Sequence, residues 1–193
     1  MSTAVLGSAG PAAGPYGWPA PDPCDAPDAP AADFRAAMSA LAAPVTVVTA
    51  YDAQGGARGL TASAVSSLSL TPPLFLVCLD HGSRTHDALT GAPAFCVNVL
   101  GPGDESLARQ FSGPAEQRFA GVRLAPGPGP DPHRPPGLAA AALRLTCARW
   151  ELAAGGDHTV LIGRVTGIEG DTGSAGGLLW HRRGFAHALP SAG

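Results

Sequence analysis

The chain has 193 residues, 45% of them apolar, and a formal net charge of −3, a length that suits one domain and is too short for two sizeable cores. The negative balance argues against a nucleic-acid partner, which selects for a basic face. All twelve cationic side chains are arginine, so Schiff-base lysine chemistry and the P-loop lysine of Walker-type NTPases are excluded, and any phosphate or carboxylate must be held by arginine, hydroxyls or backbone N–H groups.

Residues 1–30 carry seven of the twenty prolines among Ala, Gly and Asp, with neither helical nor strand periodicity. They are expected to form an extended arm ahead of one domain over 31–190. The N-terminal stretch shows no basic segment leading into an apolar run, and no apolar run reaches membrane-spanning length. The expectation is a soluble, cytoplasmic protein with no membrane segment.

Phe34, Met38 and Leu41 fall at i, i+4 and i+7 and predict one short amphipathic helix over 32–43. Beyond it the pattern turns to β. Residues 45–51 (VTVVTAY) are β-branched and aromatic, 52–56 are rich in Gly and Asp, and 59–65 resume an extended run, which together predict a hairpin. The apolar run 74–79 (LFLVCL) follows Pro72-Pro73 and predicts a buried strand. A short helix is expected over 83–89 with Ser83 as its cap, then a strand over 95–100 and a helix over 105–111. Residues 125–137 (APGPGPDPHRPPG) hold six more prolines and predict a long loop, either a functional lid or a passive spacer. Alternation from Leu143 through Cys147 to Glu151, a Gly155-Gly156-Asp157 turn and a run over 159–169 predict a second hairpin. About six strands with short helices between them, no regular βαβ alternation and no G-x-G-x-x-G predict a mainly β fold, a closed barrel rather than a Rossmann sheet.

The cysteines, Cys24, Cys78, Cys96 and Cys147, form no C-x-x-C pair and have no His at ligand spacing, so no metal site is expected. Cys78, Cys96 and Cys147 lie in apolar runs and read as buried thiols.

Two segments carry the chemistry. In Gly59-Leu60-Thr61-Ala62-Ser63-Ala64-Val65-Ser66-Ser67-Leu68-Ser69, small residues let backbone approach a ligand and supply donors. Ser83-Arg84-Thr85, at an expected helix start, is a candidate phosphate seat. Each has a structural reading beside the functional one: a turn or solvated strand face for the first, simple capping for Ser83.

Taken in order, GLTASAVSSLSLTPPLFLVCLD, SRTHDAL, FCVNVL, LARQF, RFAGV and GDHTVLIGRV resemble the short-chain flavin reductases, the small reductase components of two-component flavin-dependent monooxygenases. The resemblance runs over residues 34–185. It implies an FMN-binding split β-barrel with short flanking helices, usually a homodimer with the flavin at the subunit interface. It further implies FMN or FAD as the flavin, NADH or NADPH as the electron donor, and a monooxygenase partner reached through diffusible reduced flavin. By the same resemblance, Thr61, Ala62, Ser63, Ser66 and Ser67 line the flavin ring and ribityl chain, and Pro44, Val45 and Thr46 begin the strand that approaches it. Ser83, Arg84 and Thr85 match the phosphate-binding turn, and His158, in Gly156-Asp157-His158, matches the histidine placed near the nicotinamide. Without the resemblance His158 reads as a hairpin-turn histidine. The segment Trp180-His181-Arg182-Arg183-Gly184-Phe185 stands where relatives carry a Tyr-containing segment ending in R-G or R-x-Y. Arg182 is its expected cofactor contact, while Trp180, expected to pack in a core or interface, and the Arg pair depart from the pattern. The remaining alternatives are a flavin-binding split-barrel oxidoreductase acting directly on an organic substrate, or a non-catalytic flavin or ligand-binding protein.

Overall fold

A computed structural model describes residues 27–127, 129, 131–170 and 176–188. Most of the expected arm, with Cys24, lies outside the described residues. The chain divides into two compact units, Met1–Ala36 and Ala37–Gly193. Helix α1 (Ala31–Ser39) forms where the apolar spacing predicts it but ends earlier. It buries none of its residues; Phe34 and Met38 are exposed, as is Leu41 just beyond it.

The second unit carries ten strands among the described residues. Strand β1 is Ala43–Pro44, β2 Thr46–Tyr51, β3 Ala57–Ala62, β4 Val65–Leu70, β5 Pro73–Asp80, β6 Ala94–Val99, β7 Leu143–Gly155, β8 His158–Gly170, β9 Gly177–His181 and β10 Gly184–Ala188. Seven pair antiparallel in the order β3-β2-β6-β7-β8-β5-β4, and β1-β9-β10 form a smaller sheet. The first and last strands of the large sheet, β3 and β4, are consecutive in the chain and separated by Ser63-Ala64 alone. A seven-stranded sheet can bring its two edges within two residues only by curling round, so the sheet is a barrel left unpaired along one seam. This is the split barrel.

Alternation along the strands divides the interior in two. Val48 and Ala50 of β2 join Val77, Leu79, Phe95, Val97, Cys147 and Leu161 in the barrel core. Val47, on the opposite face of β2, and Val45 just before it join Leu100, Ala108, Phe111, Leu138 and Leu178 in a second core. Burial on both faces explains why 45–51 reads as an unbroken β-branched run. The second core rests on helix α3 (Glu105–Ser112), which turns Ala108 and Phe111 inward. The β2–β3 turn is closed by Asp52, whose Oδ1 accepts from the N–H groups of Gln54 (3.0 Å) and Gly56 (2.7 Å). Arg58 Nε donates to its Oδ2 at 2.7 Å, and these bonds hold the Asp52 carboxyl below its ordinary range.

Two local expectations shift. The helix expected from Ser83 begins at His86 and ends at Gly91 (α2), because Ser83 Oγ is spent accepting from the Thr85 N–H (3.3 Å) and draws 83–85 into a turn. Trp180 and Phe185 lie on paired strands, β9 and β10, and pack edge to face at 5.1 Å. The Arg182-Arg183 turn between these strands has φ of 49° and 63°, the left-handed geometry that a two-residue hairpin needs. Cys96 and Cys147 are buried as expected, whereas Cys78 on β5 is only partly buried; burial pushes the Cys96 and Cys147 thiols up to about 12. They stay protonated at neutral pH and act as small apolar groups.

The barrel core makes one demand that a single methyl group tests. A Cβ at Gly163 would lie 2.5 Å from Phe95 Cζ and 2.8 Å from Cys147 Cβ, and both neighbours are fully buried. Gly163→Ala is expected to cost about 1–3 kcal/mol, read as a fall of roughly 2–12 °C in Tm by circular dichroism. An unchanged Tm would mean that Phe95 does not pack on β8 as described.

Candidate active site

Where the seam of the barrel opens, the end of β3, the Ser63-Ala64 link, the end of β5 and the C-terminal turn of α3 enclose a cleft of about 320 Å³. Thr61, Ala62, Ser63, Ser83 and His158 all line it, together with Asp80, Phe111, Ser112 and Arg118. Five sequence candidates, drawn from three separate segments, are thus brought to one place.

Each is held by a definable contact. Thr61 Oγ1 donates to the Ala108 carbonyl of α3 at 2.7 Å, fixing β3 to the helix. Thr46, buried and outside the cleft, donates through Oγ1 to the Ala62 carbonyl at 2.8 Å and sets the end of β3. The Cys78 N–H donates to the Ala64 carbonyl at 2.9 Å and pulls the link onto β5. His158 opens β8 opposite Asp80 of β5. Its Nδ1 lies 2.7 Å from Asp157 Oδ1. An ionised carboxylate only accepts, so Nδ1 carries the proton and Nε2 is left for a ligand. The bond to His158 in turn holds the Asp157 carboxyl below its ordinary range.

Arg118 is the residue that local sequence pattern does not single out. Its Nε donates to the Gly113 carbonyl (2.9 Å), and its Nη1 donates to the Gly59 carbonyl (2.8 Å) and to Thr85 Oγ1 (2.9 Å). One guanidinium therefore ties the end of α3, strand β3 and the Ser83–Thr85 turn together while facing the cleft. Burial draws its pKa downward, yet arginine remains charged at neutral pH. Sequence offers only its place in RFAGV and the absence of lysine, and neither assigns it a role.

The other candidates do not line the cleft. Arg84 projects to solvent, its side chain 77% exposed, with Nη1 3.1 Å from Glu116 Oε1. Thr85 is buried behind the turn. Ser66 and Ser67 lie on exposed positions of β4. Val45 belongs to the second core, and Pro44 pairs with Leu179. Arg182 stands in the β9–β10 turn, its N–H donating to the Ser39 carbonyl at 2.7 Å.

Hydroxyls, small backbone-exposing residues, one buried-edge arginine and one histidine, with no nucleophile–base pair among the lining residues, suit binding of a phosphate-bearing ring system better than hydrolysis. A family model described as flavin reductase like domain matches residues 38–188. The chain belongs to that family. Among its relatives, an NADH:riboflavin 5'-phosphate oxidoreductase of Streptomyces pristinaespiralis is 37% identical over 158 residues, covering 82% of this chain and 88% of that protein. The reductase component of a 4-nitrophenol 4-monooxygenase/4-nitrocatechol 2-monooxygenase of Rhodococcus opacus is 37% identical over 161 residues, covering 82% of each. The solved structure of the Streptomyces globisporus C-1027 NADH:FAD oxidoreductase SgcE6, in complex with NAD and FAD fragments, is 32% identical with a TM-score of 0.74, covering 84% of this chain and 94% of that one. The flavin reductase domain described here thus has the split-barrel fold of its family. No helix among its described residues is long and apolar enough to cross a membrane.

Proposed function

We propose that this flavin reductase domain transfers electrons from NADH to FMN or FAD and supplies the reduced flavin to a partner monooxygenase. The observation that carries the reading is the convergence of Thr61–Ser63, Ser83, Arg118 and His158 on one cleft in a chain of this family. The donor set fits the group: the Ser63 and Ser83 hydroxyls and a guanidinium suit the riboflavin 5'-phosphate that FMN and FAD share. A flavin held there would supply the hydride-accepting chemistry, leaving the chain to bind and orient rather than to provide a side-chain nucleophile. The chain's own residues then bind and orient. Thr61, Ala62 and Ser63 present backbone and hydroxyls to the ring and ribityl chain; Ser66 and Ser67 extend that edge along β4, and Pro44, Val45 and Thr46 support it from β1 and the start of β2. Ser83 and Arg118 hold the phosphate, with Thr85 fixing Arg118 from behind the turn and Arg84 able to leave its exposed partner Glu116 for the same anion. His158 presents Nε2 to the nicotinamide, and Arg182 meets the cofactor from the C-terminal hairpin. NADPH is the alternative donor.

Residues 31–190 form the catalytic domain in this reading, and 1–30 an arm. Compartment follows from the partner, and a cytoplasmic location suits a reductase fed by NADH. Steady-state nicotinamide oxidation with each combination of NADH or NADPH and FMN or FAD tests the activity and fixes the preferred pair. Turnover is expected only with flavin present; no turnover with any pair would overturn the proposal.

The functional unit is proposed to be a homodimer. The cleft of about 320 Å³ is at the small end of the range for ligand sites, so one subunit encloses a flavin incompletely. Leu68, Leu70, Trp150, Leu152 and Ile168 also stand exposed on β4, β7 and β8, apolar side chains that a partner subunit would cover. Light scattering of the flavin-loaded protein at micromolar concentration is expected to give twice the chain mass. A flavin-loaded monomer would contradict it.

A further inference from the structure

A second, larger cavity of about 630 Å³ shares no lining residue with the cleft. Its floor is Cys96, Arg144 and Thr146, which alternate along β6 and β7 with the barrel-core residues Phe95, Val97, Leu145 and Cys147. They therefore face outward, and the cavity lies on the outer face of the sheet. Its roof is drawn from the proline-rich segment predicted from sequence as either lid or spacer, through residues 125–127, 129 and 134–137.

The roof is anchored from inside the protein. Asn98 and Thr49 are fully buried. Asn98 Nδ2 donates to the Val47 carbonyl (2.9 Å) and to Thr49 Oγ1 (3.1 Å), and Thr49 Oγ1 donates to the Pro136 carbonyl. Asn98 Oδ1 accepts from the Leu138 N–H at 2.7 Å. The two buried side chains thus grip the loop on both sides of Gly137, and the Ala125 N–H closes its neck on the Gly137 carbonyl at 2.8 Å. Burying an amide and a hydroxyl is costly unless each is satisfied. Here that satisfaction is spent on fixing a loop over a cavity, which a passive spacer does not require.

The chemistry of the enclosed space favours one kind of guest. Arg144 is four-fifths buried, with Nη2 on Glu169 Oε2 (3.1 Å) and Nη1 on the Leu138 carbonyl (3.3 Å). Its Nε is sealed from solvent with no hydrogen-bond partner among the described residues. That nitrogen is closed to a guest as it is to water, so a further acceptor in the cavity meets the N–H groups that Nη1 and Nη2 have not committed to Leu138 and Glu169. Arg134 adds a second cation from the roof, against the single carboxylate of Glu169, so the lining carries a net positive charge. Leu124, Pro126, Pro135 and Pro136 make the rest of the roof apolar.

We propose that this cavity is a second small-molecule site, for a monoanionic carboxylate with an apolar or aromatic body. The carboxylate meets Arg144, and the body lies under the prolines. The volume falls within the ordinary range for such sites.

Calorimetric titration of the full-length protein with benzoate, and with benzamide as the uncharged isostere, tests this with and without saturating FMN. Benzoate is expected to bind once per chain, undisturbed by FMN, and about tenfold or more tighter than benzamide, as one charge-assisted hydrogen bond allows. Arg144→Gln should weaken benzoate by about tenfold or more and leave FMN titration unchanged. Arg134→Gln, at an exposed roof position, should weaken it with the fold intact, which covers the case in which Arg144→Gln fails to fold. Absence of binding, equal affinity for benzamide, loss of benzoate binding in the presence of FMN, or benzoate affinity unmoved by the substitutions would each overturn the assignment.

Discussion

Arg118→Ala is expected to weaken flavin binding by about 10–100-fold, the loss of one or two hydrogen bonds to a charged group. The side chain faces the cleft while bonding the Gly113 and Gly59 carbonyls and Thr85 Oγ1. The substitution removes a cation from the phosphate end and also loosens the Ser83–Thr85 turn that should receive the phosphate. Arg84→Ala provides the contrast. Its partner Glu116 is as exposed as Arg84 itself, and surface pairs contribute little to stability, so any loss in that variant reports ligand binding alone. Fluorescence titration of FMN against both variants is the measurement. The larger loss is expected in Arg118→Ala. If Arg84→Ala loses more, the phosphate is held from the outer side of the turn, and the place given to Arg118 is wrong.

His158→Ala is expected to leave flavin affinity near wild type and slow reduction of bound flavin by about 10²-fold, the scale of a lost positioning or proton-handling group. With Nδ1 committed to Asp157, the imidazole offers Nε2 to whatever enters beside Asp80. Asp157→Asn removes the carboxylate that fixes this tautomer and should retain part of the rate, because an amide oxygen still accepts from Nδ1. Anaerobic stopped-flow over a range of nicotinamide concentrations separates binding from transfer. A wild-type rate in His158→Ala would return the residue to a hairpin turn with no part in the reaction.

What was legible in the sequence follows physical range. The two hairpins, the buried strand after Pro72-Pro73 and the amphipathic α3 depend on residues within a few positions of one another, and periodicity with turn chemistry specifies them. The β9–β10 pair carries no such signal: its turn is Arg182-Arg183 in left-handed geometry where Asn-Gly would announce a hairpin. The apolar stripe of α1 predicted a helix correctly, yet periodicity says nothing of what covers a face, and this one is exposed. At the site, the hydroxyl-rich segment and His158 could be picked out because a motif surrounds them. Arg118 could not, since its bond to the Gly59 carbonyl spans 59 positions and only the closed barrel brings them together. The same holds for Asn98 and Thr49, two polar residues inside apolar strands whose purpose is set by a loop 40 and 87 positions further along.

The cleft around Ser63, Ser83, Arg118 and His158 is proposed to bring nicotinamide and flavin together for direct transfer. The most direct measurement is a single anaerobic mixing of the full-length protein and FMN with one equivalent of NADH, following flavin and nicotinamide absorbance together. Both are expected to bleach with the same time course, one NADH consumed per flavin reduced, far faster than without protein and markedly slower in His158→Ala. Bleaching no faster than in the protein-free mixture, with FMN and with FAD alike, would contradict it.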